Sequence, residues 1–338
     1  MSDAEVTRSG LKGVRPGREA RTFSGEGGRR RRRDEPRSDH PGSSYYGQPV
    51  INPPVWAELD IAGYLFAGGL AGSSSILAAG AELTARPRLA RRSKLCAAGA
   101  LGVSLVALVH DLGRPGRFVN MLRVFKPTSP MNVGSWLLAA YGPLMAGAAA
   151  SDVLGVAPRA GRTAAAGAGV LGAGVATYTA ALIADTAVPA WHGGHRELPF
   201  LFAGSAAAAG SGFAMIAAPS EESAPACHMA LLGAAAELGA GQLLERRLGI
   251  VAETLHEGTA GRRLKAAKGL TAAGAIGAAT IGRRGRVGAA LSGACLLAGS
   301  ALTRFGLFAA GMASAEDPRY TVQPQRERLA REAGANTH

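Results

Sequence analysis

The titratable side chains of this 338-residue chain gather at the ends of apolar stretches. Carboxylates and imidazoles that meet water at such ends can exchange protons. Asp60 opens one stretch, with Tyr64 one helical turn further on and so on the same face. His110 and Asp111 close the next, followed by Leu112-Gly113-Arg114-Pro115-Gly116-Arg117-Phe118. Arg123, Phe125, Lys126, Asn132 and Trp136 come after, and Asp185 precedes Pro189-Ala190-Trp191-His192, then His195, Arg196 and Glu197. Arg114, Arg117, Arg123 and Lys126 make a basic loop suited to an acidic partner or to lipid phosphates. Two further ionisable residues, Glu237 and Arg304, stand in the middle of apolar runs, where an unpaired charge costs roughly 3 kcal/mol or more. They are expected to pair or to face a wet cavity, as a structural ion pair or as a proton relay. Asp185 and Glu82 are alternative partners for Arg304.

The elements that must hold these groups are eight apolar stretches rich in Ala, Gly and Leu, at about 61–83, 95–112, 131–153, 164–189, 197–218, 224–244, 266–282 and 288–313. Most match the roughly 20 residues that cross a bilayer as a helix, and only helices or closed barrels satisfy their backbone there. A soluble amphipathic helix would carry a charged face, whereas 164–184 and 287–303 carry no charge at all. The mean hydropathy of +0.11 is low because Ala and Gly are weakly apolar and the first 45 residues are polar. The sequence therefore predicts an all-α polytopic membrane protein with eight transmembrane helices in two four-helix bundles, the polar site in the first. Its 48 glycines predict close helix contacts, with Gly68, Gly69, Gly72, Gly167, Gly169, Gly172 and Gly174 well placed for them.

Residues 1–44 read as a disordered basic tail, 45–315 as the transmembrane domain and 316–338 as a C-terminal tail. The arginine run 29–33 has no apolar segment close behind it, so a retained tail is expected and not a cleaved signal. Interleaved aromatic residues are absent from the run, which argues against nucleic acid. An even number of spans puts both termini on one side, together with Asp60, His110, Asp111 and Asp185. About 11 Lys and Arg in the first tail point to cytoplasmic termini by the positive-inside rule. The opposite side is expected to offer little beyond basic turns and the pair Glu221 and Glu222.

The run Tyr45-Tyr46-Gly47-Gln48-Pro49-Val50 before Trp56 resembles the polysulfide reductase membrane-subunit (NrfD-type) family. So do Tyr64-Leu65-Phe66-Ala67-Gly68-Gly69, His110-Asp111-Leu112-Gly113-Arg114-Pro115, and Tyr178-Thr179 through Ala187-Val188-Pro189-Ala190-Trp191-His192. The resemblance covers about Tyr45 to Leu329. It implies a subunit of the cytoplasmic membrane that exchanges electrons between quinone or quinol, as menaquinone or ubiquinone, and an iron-sulfur partner subunit. That partner would serve a catalytic subunit, often a molybdopterin enzyme. On this resemblance Tyr64 or His110 contacts a quinone oxygen and Asp60, Asp111 or Asp185 takes its proton. Arg114, Trp136 and Tyr178 join the cofactor-binding set; Arg114, Arg117, Arg123, Lys126, Trp191 and His192 form the docking face.

The residues bear on cofactors independently of the family. Three cysteines, Cys96, Cys227 and Cys295, lie far apart in predicted helices, so no iron-sulfur cluster of its own is expected. Of seven histidines only His110 and His228 fall near spans, at opposite sides, which argues against a bis-histidine haem. No metal site is expected. The competing class is a proton or small-solute transporter using the intramembrane carboxylates and Arg304, for which an inverted repeat would be the signature.

Overall fold

The computed structural model describes residues 5–7, 10–12, 50–112 and 120–335. Within a small unit, Met1–Pro41, strand β1 (Glu5–Thr7) pairs antiparallel with β2 (Gly10–Lys12). Most of the expected tail, like Arg114 and Arg117, lies outside the described residues.

The second unit, Gly42–His338, is helical. Its helices are α1 (Glu58–Leu83), α2 (Pro87–Leu112), α3 (Pro130–Leu154), α4 (Pro158–Ala184), the short α5 (Pro189–Gly193), α6 (Leu198–Ala217), α7 (Ala224–Leu248), the single turn α8 (Glu253–His256), α9 (Gly258–Ala279), α10 (Arg286–Glu316) and α11 (Arg319–Ala335). The starts are written in proline. Pro87, Pro130, Pro158 and Pro189 take the first helical position and Pro199 and Pro225 the second, where the missing N–H is not needed. At the other end of α3, Gly155 adopts φ 69°, the left-handed conformation that closes a helix without a Cβ penalty.

Among the described residues six helices are long and apolar enough to cross a membrane: α1, α2, α3, α4, α6 and α10. Length and composition do not show the other two of the eight expected spans. Helices form where the sixth and seventh spans were placed, but α7 carries Glu237, Glu245, Arg246 and Arg247, and α9 carries Arg262, Arg263, Lys265 and Lys268. Boundaries also move: α4 starts at Pro158 and α9 at Gly258, six and eight residues ahead of the expected starts. Helix α2 begins at Pro87, so Arg88 to Lys94 are helical and not a loop, and α4 stops at Ala184, leaving Asp185 as its C-cap.

Helix α1 is the hub, packed on α2, α4, α6 and α10. Small residues make this possible: a Cβ on Gly72 would overlap the Gly172 carbonyl of α4, and one on Gly172 would overlap Gly72 and Ser75. Without a hydrophobic effect to separate helix from lipid, such backbone approach supplies the dispersion contact that holds helices together. Ser75 Oγ, on the same face, donates to the Gly72 carbonyl at 2.7 Å and reaches the Ala168 carbonyl at 3.2 Å. Tyr141 of α3 donates its hydroxyl to the Ala71 carbonyl at 2.9 Å, adding a third helix to the seam.

Gly72→Leu is therefore expected to destabilise the protein by about 3 kcal/mol, at the upper end of the usual cost of overpacking. Gly80→Leu, at a position where a Cβ meets nothing within 4 Å, should be nearly neutral. Thermal melts in detergent check the contrast.

Candidate functional site

The short turn between α1 and α2 makes these helices antiparallel, so the start of α1 faces the end of α2. Asp60 Oδ2 and His110 Nδ1 meet at 2.8 Å. Each charge also suits its helix end, the carboxylate at an N-terminus and the imidazole at a C-terminus. His110 is 76% exposed and Asp60 19%, so the pair runs from protein into solvent. Asp111, next along, accepts a hydrogen bond from the Ala57 backbone and interacts with both Asp60 and His110.

Asp111 also reaches into a cleft bounded by four helices, with about 600 Å³ of empty space, its open mouth included. Ile61 and Tyr64 line it from α1, Leu108 from α2, Met131, Ser135 and Leu138 from α3, and Tyr178, Leu182 and Ile183 from α4; Trp56 and Met121 close its ends. Glycine again sets the geometry. A Cβ on Gly134 would overlap the Tyr178 ring, which comes close to the α3 backbone. Asn132 fastens the strap leading into α3: its side chain accepts from Lys126 N at 2.6 Å and donates to the carbonyls of Met121 at 2.6 Å and Val124 at 2.9 Å.

Of the residues singled out by sequence, Asp60, Tyr64, His110, Asp111 and Tyr178 come together. Others do not. Trp136 is turned away from the cleft, 40% exposed and edge-on to Phe125, because its neighbour Ser135 takes the inward position. Asp185 is exposed at the end of α4 and does not line the cleft. Trp191 is only 1% exposed, which corrects its assignment to a docking surface. Its ring stacks on Trp56 at 5.9 Å, lies tilted to Phe308 at 5.7 Å, covers Gly311, and donates Nε1–H to the Leu307 carbonyl at 2.9 Å. It is a core pin that ties the segment before α1 to α5 and α10. His192, Arg123 and Lys126 are exposed, as a docking role requires.

Trp56, Met121, Met131, Ser135 and the strap-fastening Asn132 escaped assignment by sequence. The aromatic Trp56, just ahead of the first span, and Asn132, in the polar connection after the second, gave a signal without a role. Near the same end, Tyr320 of α11 lies between Arg319 Nη2 at 3.0 Å and Glu253 Oε2 at 3.3 Å. Burial raises its phenol above the ordinary tyrosine value, against the opposing pull of Arg319.

The intramembrane charges depart from the expected contact pair. The Arg304 guanidinium donates to the Phe202 carbonyl at 2.9 Å and lies 3.6 Å over the Phe202 ring. Glu237 instead accepts from Thr303 at 2.6 Å and from Thr271 at 3.4 Å. The two charges interact electrostatically without a direct ion pair among the described contacts. The opposite side is also richer than expected. Lys94, 1% exposed, bonds Glu82 at 2.6 Å and Asp152 at 2.8 Å, joining α1, α2 and α3.

These features define a multi-pass membrane protein with an aromatic- and carboxylate-lined cleft at one end of its first four helices. A family model described as polysulphide reductase, NrfD, matches residues 48–234, more than half of the chain, and the chain belongs to this family. The match contains every residue of the cleft and stops inside α7. No curated protein matches the sequence.

Removing one partner of a buried charge cluster leaves the others uncompensated, at a cost of about 3 to 5 kcal/mol. Lys94→Ala is expected to fall in that range in a detergent unfolding assay, with the loss largely recovered in the triple variant that also carries Glu82→Gln and Asp152→Asn.

Proposed function

We propose that this protein is the quinone-interacting membrane subunit of an oxidoreductase complex, exchanging electrons between the quinone pool and an iron-sulfur partner docked over the α1–α2 end. The observation that carries the reading is Asp111, a carboxylate directed into a cleft with two tyrosines, beside an Asp60–His110 pair that leads to solvent. In support of a ring-shaped occupant, the walls are apolar or aromatic, with few polar groups; Asp111, Ser135 and the two tyrosine hydroxyls are the candidates to orient it.

A quinol bound in the cleft would supply two electrons and two protons. Tyr64 and Tyr178 offer hydroxyls to a ring oxygen, and the Asp111 carboxylate is the group that takes the two protons, one after the other. The imidazole of His110, held at Nδ1 by Asp60, hands each to water through its exposed face before the next is taken. Arg123 and Lys126, with the exposed His192, supply a basic and polar rim that suits an acidic partner. An iron-sulfur subunit fits that rim because electron tunnelling weakens steeply with distance, so carrier and cleft must share one end. The catalytic chemistry, of molybdopterin type in the family resemblance, then belongs to a further subunit.

In this reading α7 and α9 complete eight crossings. They are 25 and 22 residues long, pack along α6 and α10, and carry much of their charge near the ends that face water. The helices then form two groups of four, α1 to α4 and α6, α7, α9 and α10. The arginine-rich N-terminal sequence supports termini on the cytoplasmic side of the cell membrane. Reporter enzymes fused to each end should be active only in the cytoplasm; exoplasmic activity at both ends would reverse the assignment.

General acid–base groups contribute about a hundredfold or more. Asp111→Asn is therefore expected to lower the oxidation of a reduced naphthoquinone analogue by at least that factor in membranes holding the assembled complex, and Tyr64→Phe by a smaller one. Asp185→Asn should leave the rate unchanged. An Asp111→Asn enzyme of native rate would remove the reading.

A further inference from the structure

A second crevice lies between α7 and α9, with α6 and α10 behind it, and its lining apart from Leu201 lies beyond the family match. It holds about 420 Å³ of empty space, open mouth included. Leucines wall it, among them Leu201, Leu238 and Leu264, yet both ends are charged. Glu237 and Thr303 stand at one end, Glu245 and Lys268 at the other. Lys268 and Glu245 are salt-bridged, and His256 Nε2 approaches Glu245 at 3.8 Å.

The spacing on α7 explains the shape. Glu237, Gly241 and Glu245 recur every four residues and so share one face. The carboxylates are about 12 Å apart along the axis, and the residue between them has no side chain. Two other glycines of α6 and α7 are demanded by packing: a Cβ on Gly204 or Gly233 would overlap the facing backbone. Gly241 is not among these. A Cβ there would meet only Leu201 Cδ1, at 3.9 Å, an ordinary contact. Helix packing does not require this glycine, and because it lines the crevice a larger side chain there would occupy that space.

The groups around Glu237 leave its charge adjustable. It faces Thr271 and Lys268 on α9, Thr303 and Arg304 on α10, Ser205 on α6 and Glu245 on its own helix. The hydroxyls donate to it, whereas Arg304 is engaged with Phe202, with Nε and Nη1 unpartnered among the described contacts. A buried carboxylate that no cation touches is costly as an anion and cheap as an acid. Water at either end of the crevice would find two partners, Glu245 and Lys268 at the mouth and Thr303 and Glu237 at depth, the fewest a buried water needs.

We propose that Glu237 is a protonatable carboxyl that exchanges its proton with water at the Glu245–Lys268–His256 end, through the crevice that Gly241 keeps open. On loading, a proton passes from hydronium at the mouth along crevice water to a Glu237 carboxylate oxygen, leaving water behind. On unloading the same path returns it, and no electron moves. The site is separate from the cleft of α1 to α4 and does not depend on quinone binding there.

Infrared spectroscopy of the full-length protein in lipid tests this directly. The protonated carboxyl band is assigned by its loss in Glu237→Gln and by its frequency shift in Glu237→Asp, so one poorly folding variant does not end the experiment. On transfer to D₂O the band should shift at once in the native protein. In Gly241→Leu, which plugs the crevice while its thermal melt stays native-like, the shift should be slowed by at least about tenfold, and by a smaller factor in Gly241→Ala. The proposal is overturned if no protonated band belongs to Glu237 from acid to mildly alkaline pH, or if native and plugged proteins exchange at the same rate.

Discussion

Direct backbone contact between α1 and α4, at Gly72 and Gly172, is the constraint on which the rest of this structure depends. In lipid, helices gain nothing by hiding apolar surface from water, so association must come from close packing and from polar groups that cannot be left bare. The glycine seam brings α1 near enough to four other helices to act as their common wall. Once α1 and α4 are held, Tyr64 and Tyr178 face one cavity, and the turn back through α2 delivers Asp111 to it.

The charged residues follow a rule set by their depth. Near the two ends of the bundle they pair: Asp60 with His110, Glu58 with Arg263, and Lys94 with Glu82 and Asp152. Deeper, Glu237 and Arg304 are served by hydroxyls, a carbonyl and an aromatic face instead of by each other. The clusters at the ends hold helices together, as Lys94 does for three of them. The separated charges in the middle fasten less and leave a carboxyl able to change its state, which is the property a proton-exchange site needs.

How far the site could be read from sequence depended on whether position along a helix was enough. Asp60, His110 and Asp111 were legible because span parity alone brings the start of one helix to the end of the next. Trp136 and Trp191 were misread because position along the chain says nothing about rotation about the helix axis: Ser135 takes the inward place, and Trp191 turns into the core over Gly311. Lys94 was misread as a loop charge since α2 begins eight residues before the apolar stretch does. The sixth and seventh spans are less apolar than the other six because small residues dilute, without removing, the charges of α7 and α9.

Sequence by itself determined that the chain is helical and membrane-embedded, and that Asp60, His110 and Asp111 share one end. Those features follow from local composition, from the length a bilayer demands and from the parity of successive helices. Only the tertiary structure decided which glycines touch backbone and which leave a gap, that Glu237 and Arg304 stand apart, and that Asp111, not Asp185, enters the cleft. The reason is physical. Each is settled by helix rotation and interhelical distance, and those come from the fit of many small side chains across a seam, which no stretch of sequence contains alone.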